Sequence, residues 1–120
     1  MKISSHKELV AYKKSYEVVK LIYELTKGFP QSEIYGITSQ IRRSAVSIPS
    51  NIAEGYMRGS KEYVQFLKIA LGSAAELDTQ ICICNDLGFF KEVDFNKLNS
   101  LVVEVMKLLT VYIKKLKADS

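Results

Sequence analysis

A chain of 120 residues with 48% hydrophobic content is long enough to close one core without disulfide or metal staples. Charges interrupt its apolar stretches every few residues, which excludes a membrane-spanning helix, and the opening Met1-Lys-Ile-Ser-Ser-His-Lys-Glu lacks the apolar run of a signal peptide. The formal charge is +4, unevenly spread: residues 61–90 hold two Lys against four acids, and residues 91–120 hold six Lys against four acids. Such a balance suits either polyanion binding or the docking of basic on acidic faces in an oligomer.

The first predicted helix covers residues 6–27. Ala11, Ser15, Val18, Ile22, Leu25 and Phe29 recur at alternating spacings of four and three, the seam pattern of helices packed at shallow angles. Beside this seam runs a second stripe of Tyr12, Tyr16, Val19 and Tyr23. It reads either as a broadened core face or as an oligomer interface, where tyrosine is enriched. Lys13, Glu17, Lys20, Glu24 and Lys27 alternate in sign and read as a solvated edge. Gly28-Phe29-Pro30 ends the helix.

The second helix is expected over residues 33–54, behind Ser32 as its cap. Its core seam is Ile34, Ile37, Ile41, Ala45, Ile48 and Ile52. Gln40, Arg43, Ser47, Asn51, Glu54 and Arg58 fall on a separate polar stripe about 80° wide. A solvated face needs only Lys and Glu, so this mixture points to contact with another element or another molecule. Pro49 removes a backbone hydrogen bond and crowds the carbonyl of Ala45. A kink or short break is expected there, with Ser47 or Ser50 hydroxyls supporting the freed groups.

The third helix, residues 61–87 behind Ser60, carries Tyr63, Leu67, Ala70, Ala74, Leu77, Ile81 and Cys84 on its seam. Ala70, Gly72, Ser73, Ala74 and Ala75 predict close approach by a neighbouring helix. Ser73, Glu76 and Gln80 form a short polar strip, and Arg43–Glu76 is the expected ion pair across to the second helix. Cys82 and Cys84 point to different sides of the helix, so they can neither bridge nor chelate as a pair and are expected as reduced, packed thiols, in keeping with a cytoplasmic location. The fourth helix, residues 95–117 behind Asp94, has Phe95, Leu98, Val102, Val105, Leu109, Tyr112 and Leu116 on its seam, with Lys107, Lys114, Lys115 and Lys117 as a basic cluster. Connections of five or six residues make successive helices antiparallel neighbours. Residues 1–120 therefore read as one all-α domain, an up-down-up-down antiparallel four-helix bundle.

The order Gln40-x-x-Arg43-x-x-x-Ser47-x-x-x-Asn51-x-x-Glu54-Gly55 resembles the bacterial four-helix-bundle family of proteins encoded in intervening sequences of 23S ribosomal RNA genes, once labelled ribosomal proteins. Ile22-Tyr23 and Phe29-Pro30 before it, and Phe66-Leu67-x-x-Ala70-x-x-Ser73-x-x-Glu76-Leu77 after it, extend the resemblance over nearly the whole chain. The resemblance implies a homopentameric ring or barrel with no enzymatic role. It also implies kinship with the accessory protein of diversity-generating retroelements, which engages nucleic acid and a reverse transcriptase.

The residues themselves offer no catalytic constellation. His6 is the only histidine, the Glu-x-x-His pairs of di-iron bundles are missing, and Gly55 and Gly59 do not form a phosphate loop. No cofactor or metal is expected, and Glu54 and Glu76 are expected to pair with arginine rather than to act as acid and base. Two readings remain. One is an oligomer that binds RNA or DNA phosphates through Arg42, Arg58, Lys107, Lys114, Lys115 and Lys117. The other is a scaffold that binds only protein, its own copies or another partner. Gln40, Arg43, Ser47, Asn51, Glu54, Ser73 and Glu76 are assigned to a polar network, buried in the bundle or shared between subunits. Tyr12, Tyr16, Val19 and Tyr23 are the interface candidates.

Overall fold

The seam residues come together as expected, and their burial organises everything else. In the computed structural model, which describes residues 5, 6 and 9–119, four helices follow one another: α1 (Val10–Thr26), α2 (Ile37–Arg58), α3 (Ser60–Asp86) and α4 (Glu92–Ala118), with a 3-10 turn at Gln31–Glu33 between α1 and α2. Met1 to Ser4, Lys7, Glu8 and Ser120 lie outside the described residues, and with them most of the opening segment and part of the predicted start of α1. No described helix is long and apolar enough to cross a membrane.

Helices adjacent in sequence pack on one another, and α1 closes the square on α4. The contacts pair residues in opposing directions. Ser44 meets Glu76 and Ser47 meets Ser73 between α2 and α3, Arg42 reaches Thr26 between α2 and α1, and Lys14 meets Glu104 between α1 and α4. Between α2 and α3 one number rises as the other falls. The same holds between α1 and α2, where Arg42 meets Thr26 and Pro49 faces Tyr16, and between α1 and α4, where Glu104 meets Lys14 and Val111 lies beside Val10, so these neighbouring helices run antiparallel. The molecule is a four-helix bundle, elongated to 46 × 25 × 21 Å.

All seven predicted seam residues of α3 are buried, as are Ile41, Ala45, Ile48 and Ile52 of α2 and Leu98, Val102, Val105 and Leu109 of α4. Ile113 joins them at the end of α4, while Tyr112 and Leu116 are only partly covered. Ile34 falls outside α2 and is 39% exposed. The two ends of the bundle are closed by different aromatic chemistry. Phe29 packs on Phe89 and Phe90, each at 5.2 Å between ring centroids. At the other end His6, Tyr12, Tyr56, Tyr63 and Tyr112 touch in a chain that links the start of α1 to the end of α4.

The helix ends differ from the sequence reading for local reasons. Ser32 lies in the 3-10 turn, and α2 starts after Gly36, where a Glu33 carboxylate oxygen accepts the Ile37 N–H at 3.4 Å. Ser60 is the first residue of α3 rather than its cap, because α2 runs on to Arg58 and only Gly59 separates the two helices. Gly59 has φ +99, a left-handed conformation open to glycine and strained for other residues. Asp94 lies inside the first turn of α4, which begins at Glu92 behind Lys91; both acids face the positive end of the helix dipole. Pro49 sits buried within α2, which continues through it as one helix. The Ser47 hydroxyl does not turn back to the backbone, since it bonds Ser73 of α3.

Candidate functional site

The polar stripe of α2 faces α3, and the structure divides it into pieces. At its centre Ser47 Oγ and Ser73 Oγ are 2.8 Å apart, and Asn51 Nδ2 donates to both the carbonyl and the hydroxyl of Ser47 at 2.8 and 3.0 Å. One turn earlier Ser44 Oγ donates to Glu76 Oε1 at 2.7 Å. This corrects the expected Arg43–Glu76 pair: the buried Ser44, on the core side of Arg43, reaches Glu76 first. Arg43 and Gln40 are exposed, and Arg43 enters no ion pair among the described residues. Ser44 was missed because its position on the helical wheel, between the apolar seam and the polar stripe, belongs to neither.

Farther along, Gly55 lets α2 and α3 approach each other. A Cβ there would lie 2.6 Å from Phe66 Cβ and 3.2 Å from Tyr63 Cδ1. The small residues of α3 divide by face. Ala70 and Ala74 are buried, whereas Gly72 and Ala75 are exposed, so the expected close approach rests on Gly55 of the facing helix more than on Gly72.

The two arginines assigned to an outside partner are both engaged within the chain. Arg42 Nε donates to Thr26 Oγ1 at 2.9 Å, and its guanidinium lies 4.8 Å from the centre of the Tyr23 ring. Arg58 is held by Glu54 and Glu62, each at 2.9 Å, and its guanidinium lies 5.0 Å from the Phe66 ring centre. Its hydrogen bonds to the two carboxylates raise its pKa further above the ordinary value. Two carboxylates against one guanidinium leave this corner without the net positive charge that phosphate binding needs. Glu54 thereby belongs to the turn between α2 and α3 rather than to the central network.

Lys107, Lys114, Lys115 and Lys117 are all exposed on α4. Lys107 stands between two open grooves. The first, about 440 Å³, is lined almost wholly by apolar groups of α1 and α4, among them Leu9, Ala11, Leu108, Val111 and Tyr112. The second, about 540 Å³, lies between α3 and α4 beside Met106 and Asp78. Val111 is 65% exposed and Val10 55% exposed at the rim of the first groove.

The tyrosine stripe forms one wall of a third groove. Tyr12, Tyr16 and Val19 face Val46, Pro49 and Ala53 of α2 across about 310 Å³. Tyr12 is partly covered by the core, Tyr16 is 53% exposed, and Tyr23 lies beneath Arg42. Both thiols are free, but only Cys84 is packed; Cys82 is exposed. Among the described residues no group of three or more His, Cys, Asp or Glu could hold a metal ion.

The model of the 23S rRNA-intervening sequence protein family matches residues 7–111, a span that includes α1, α2, α3, most of α4, the divided polar stripe and the Gly59 turn. The chain belongs to that family. A crystal structure from Bacteroides thetaiotaomicron, a protein of unknown function from the S23 ribosomal protein family, is similar in fold with a TM-score of 0.80. The two share 27% identity over 88% of this chain and 96% of that one. No curated protein matches this chain. In this intervening-sequence bundle Ser47 and Asn51 of the polar stripe lie at the α2–α3 contact, and Glu54 and Arg58 at its turn.

Proposed function

We propose that this intervening-sequence protein is a non-enzymatic assembly module whose copies join into a homo-oligomeric ring, pentameric as the family resemblance implies. The observation that carries this reading is the outward apolar surface beside α4: Val10 and Val111 are more than half exposed over a groove floored by Leu9, Ala11, Leu108 and Tyr112. A surface helix gains nothing from valines directed at water, and apolar patches of this kind mark contacts with other molecules. The tyrosine groove between α1 and α2 offers a second, non-equivalent apolar surface. Head-to-tail rings join two different patches of one chain, whereas an isologous dimer needs one. Sedimentation equilibrium tests the reading. The wild type is expected to be oligomeric, while Val111→Asp and Tyr16→Asp each lower the mass with unchanged helical circular dichroism. A monomeric wild type refutes it.

A second reading, phosphate contact with RNA or DNA, is favoured by the lysines at the end of α4, where Lys114, Lys115 and Lys117 are exposed and Asp119 is the one acid nearby in sequence. Replacing these three lysines by Ala is expected to lower the salt slope of RNA binding by roughly one for each lysine in contact. Arg58→Ala is expected to leave the slope unchanged.

A further inference from the structure

Gly59 alone separates α2 from α3. Its backbone, at φ 99 and ψ 179, lies in a region confined almost entirely to glycine. The chain around it is otherwise helical. Ser60 opens α3, and the Tyr63 N–H donates to the Gly59 carbonyl at 3.0 Å, the four-residue spacing of an α-helix. Arg58 pairs backwards with Glu54 and forwards, across the break, with Glu62, both at i,i+4 spacing. Such pairs suit a straight helix as well as this bent one.

The two helices are also in phase. On an uninterrupted helix from Ile37 to Asp86, the buried Ile41, Ile48 and Ile52 of α2 share one side with the buried Leu67, Ala70 and Leu77 of α3, within an arc of about 100°. The residues that join α2 to α3 share a side in the same way: Ser44, Ser47 and Gly55 with Phe66, Ser73 and Glu76. In both bonded pairs, Ser44–Glu76 and Ser47–Ser73, the partners are equidistant in sequence from Ser60. Two straightened helices laid antiparallel about a twofold axis at Ser60 therefore remake both bonds between chains without a change of register. We infer that Gly59 is a hinge at which two copies exchange halves. The α1–α2 half of each copy packs on the α3–α4 half of the other, and α2 runs on into α3 as one helix about 75 Å long. Straightening joins the orphan carbonyls that end α2 to the orphan amides that start α3. The remaining contacts are those of the closed chain, made between copies, and short restricted hinges favour such exchange. Glycine tolerates the bend, so an isolated chain closes on itself. Opening breaks the whole α2–α3 contact, so exchange occurs during folding rather than between folded chains. Joining through the apolar grooves is independent of it, since that leaves Ser47 beside Ser73 of its own chain.

A pair of thiols reports which chain supplies each half. The Ser47→Cys, Ser73→Cys, Cys82→Ser protein is refolded reduced at low and high concentration, oxidised once folded, and resolved under denaturing, non-reducing conditions. With Gly59 present, the within-chain disulfide is expected from dilute refolding, and a growing share of disulfide-linked dimer as concentration rises. In Gly59→Ala the added Cβ meets nothing within 4 Å, so only the bent backbone is penalised, and the ratio of linked dimer to monomer is expected to rise about tenfold or more. Three glycines inserted after Gly59 slacken the turn and are expected to remove the dimer. Small-angle scattering in a Val111→Asp background, which disables the groove contact, gives a reading without thiols. There the Gly59→Ala dimer is expected to reach about twice the 46 Å length of one bundle. Absence of linked dimer from the Gly59 chain at every concentration overturns the inference. So does an equal dimer share in Gly59→Ala and the three-glycine chain, or a Gly59→Ala dimer no longer than one bundle.

Discussion

Single atoms decide several properties of this bundle. Adding one carbon at Gly55 places it 2.6 Å from Phe66 Cβ, and because that atom is fixed by the α3 backbone the helices must separate. Gly55→Ala is expected to cost about 1–3 kcal/mol, as overpacked cores do. Gly72→Ala meets nothing within 4 Å and should instead stabilise by about 0.5–1 kcal/mol through helix propensity. Urea unfolding of both variants checks the contrast. Tyr63 donates its hydroxyl to Tyr112 at 3.1 Å, and burial, then this bond, raises its pKa above that of an ordinary phenol. A raised folded-state value stabilises fully below the unfolded pKa of about 10 and progressively less above it. The melting temperature of the wild type is therefore expected to fall more steeply above about pH 10 than that of Tyr63→Phe. Burial, and secondarily Glu33, pushes the Cys84 thiol up to about 11. A thiol reagent at neutral pH should label Cys82 alone until the protein unfolds.

Among the elements, α2 shows both how far the sequence could be read and where it stopped. Its apolar seam was legible because Ile41, Ala45, Ile48 and Ile52 repeat at helical spacing, and burial follows spacing directly. The polar stripe was legible as a stripe, but its partners were not. A helical wheel gives direction around one axis, whereas partner choice depends on the axial register of α2 against α3. That register brings Ser44, not Arg43, to Glu76. Arg42 illustrates the same point on the other side of α2. Its charge suggested an outside partner, yet the register against α1 sets it on Thr26 and Tyr23. Arg42→Ala is expected to destabilise the bundle by about 1–2 kcal/mol through the lost hydrogen bond and ring contact, measured by urea unfolding. The ends of α2 were misplaced because their caps are a glutamate side chain four residues back and a one-residue glycine turn, neither of which follows the usual cap pattern.

At the scale of the whole molecule, four amphipathic segments with short connections leave few arrangements open, and the antiparallel bundle is the one that buries all four seams. What surrounds the bundle was less legible. The tyrosine stripe was visible at helical spacing beside the seam of α1, but the valines of α4 and the start of α1 converge only when those two helices pack. Two non-equivalent apolar surfaces then make a specific demand on assembly. Val111→Asp damages one surface and leaves the tyrosine groove intact; Tyr16→Asp does the reverse. Native mass spectrometry of the two variants, alone and mixed in equal amounts, is the most direct measurement. Head-to-tail joining predicts monomers of each variant alone and one-to-one dimers on mixing, against a larger closed oligomer for the wild type. Monomers throughout the mixture, or wild-type mass in either variant alone, would contradict the account.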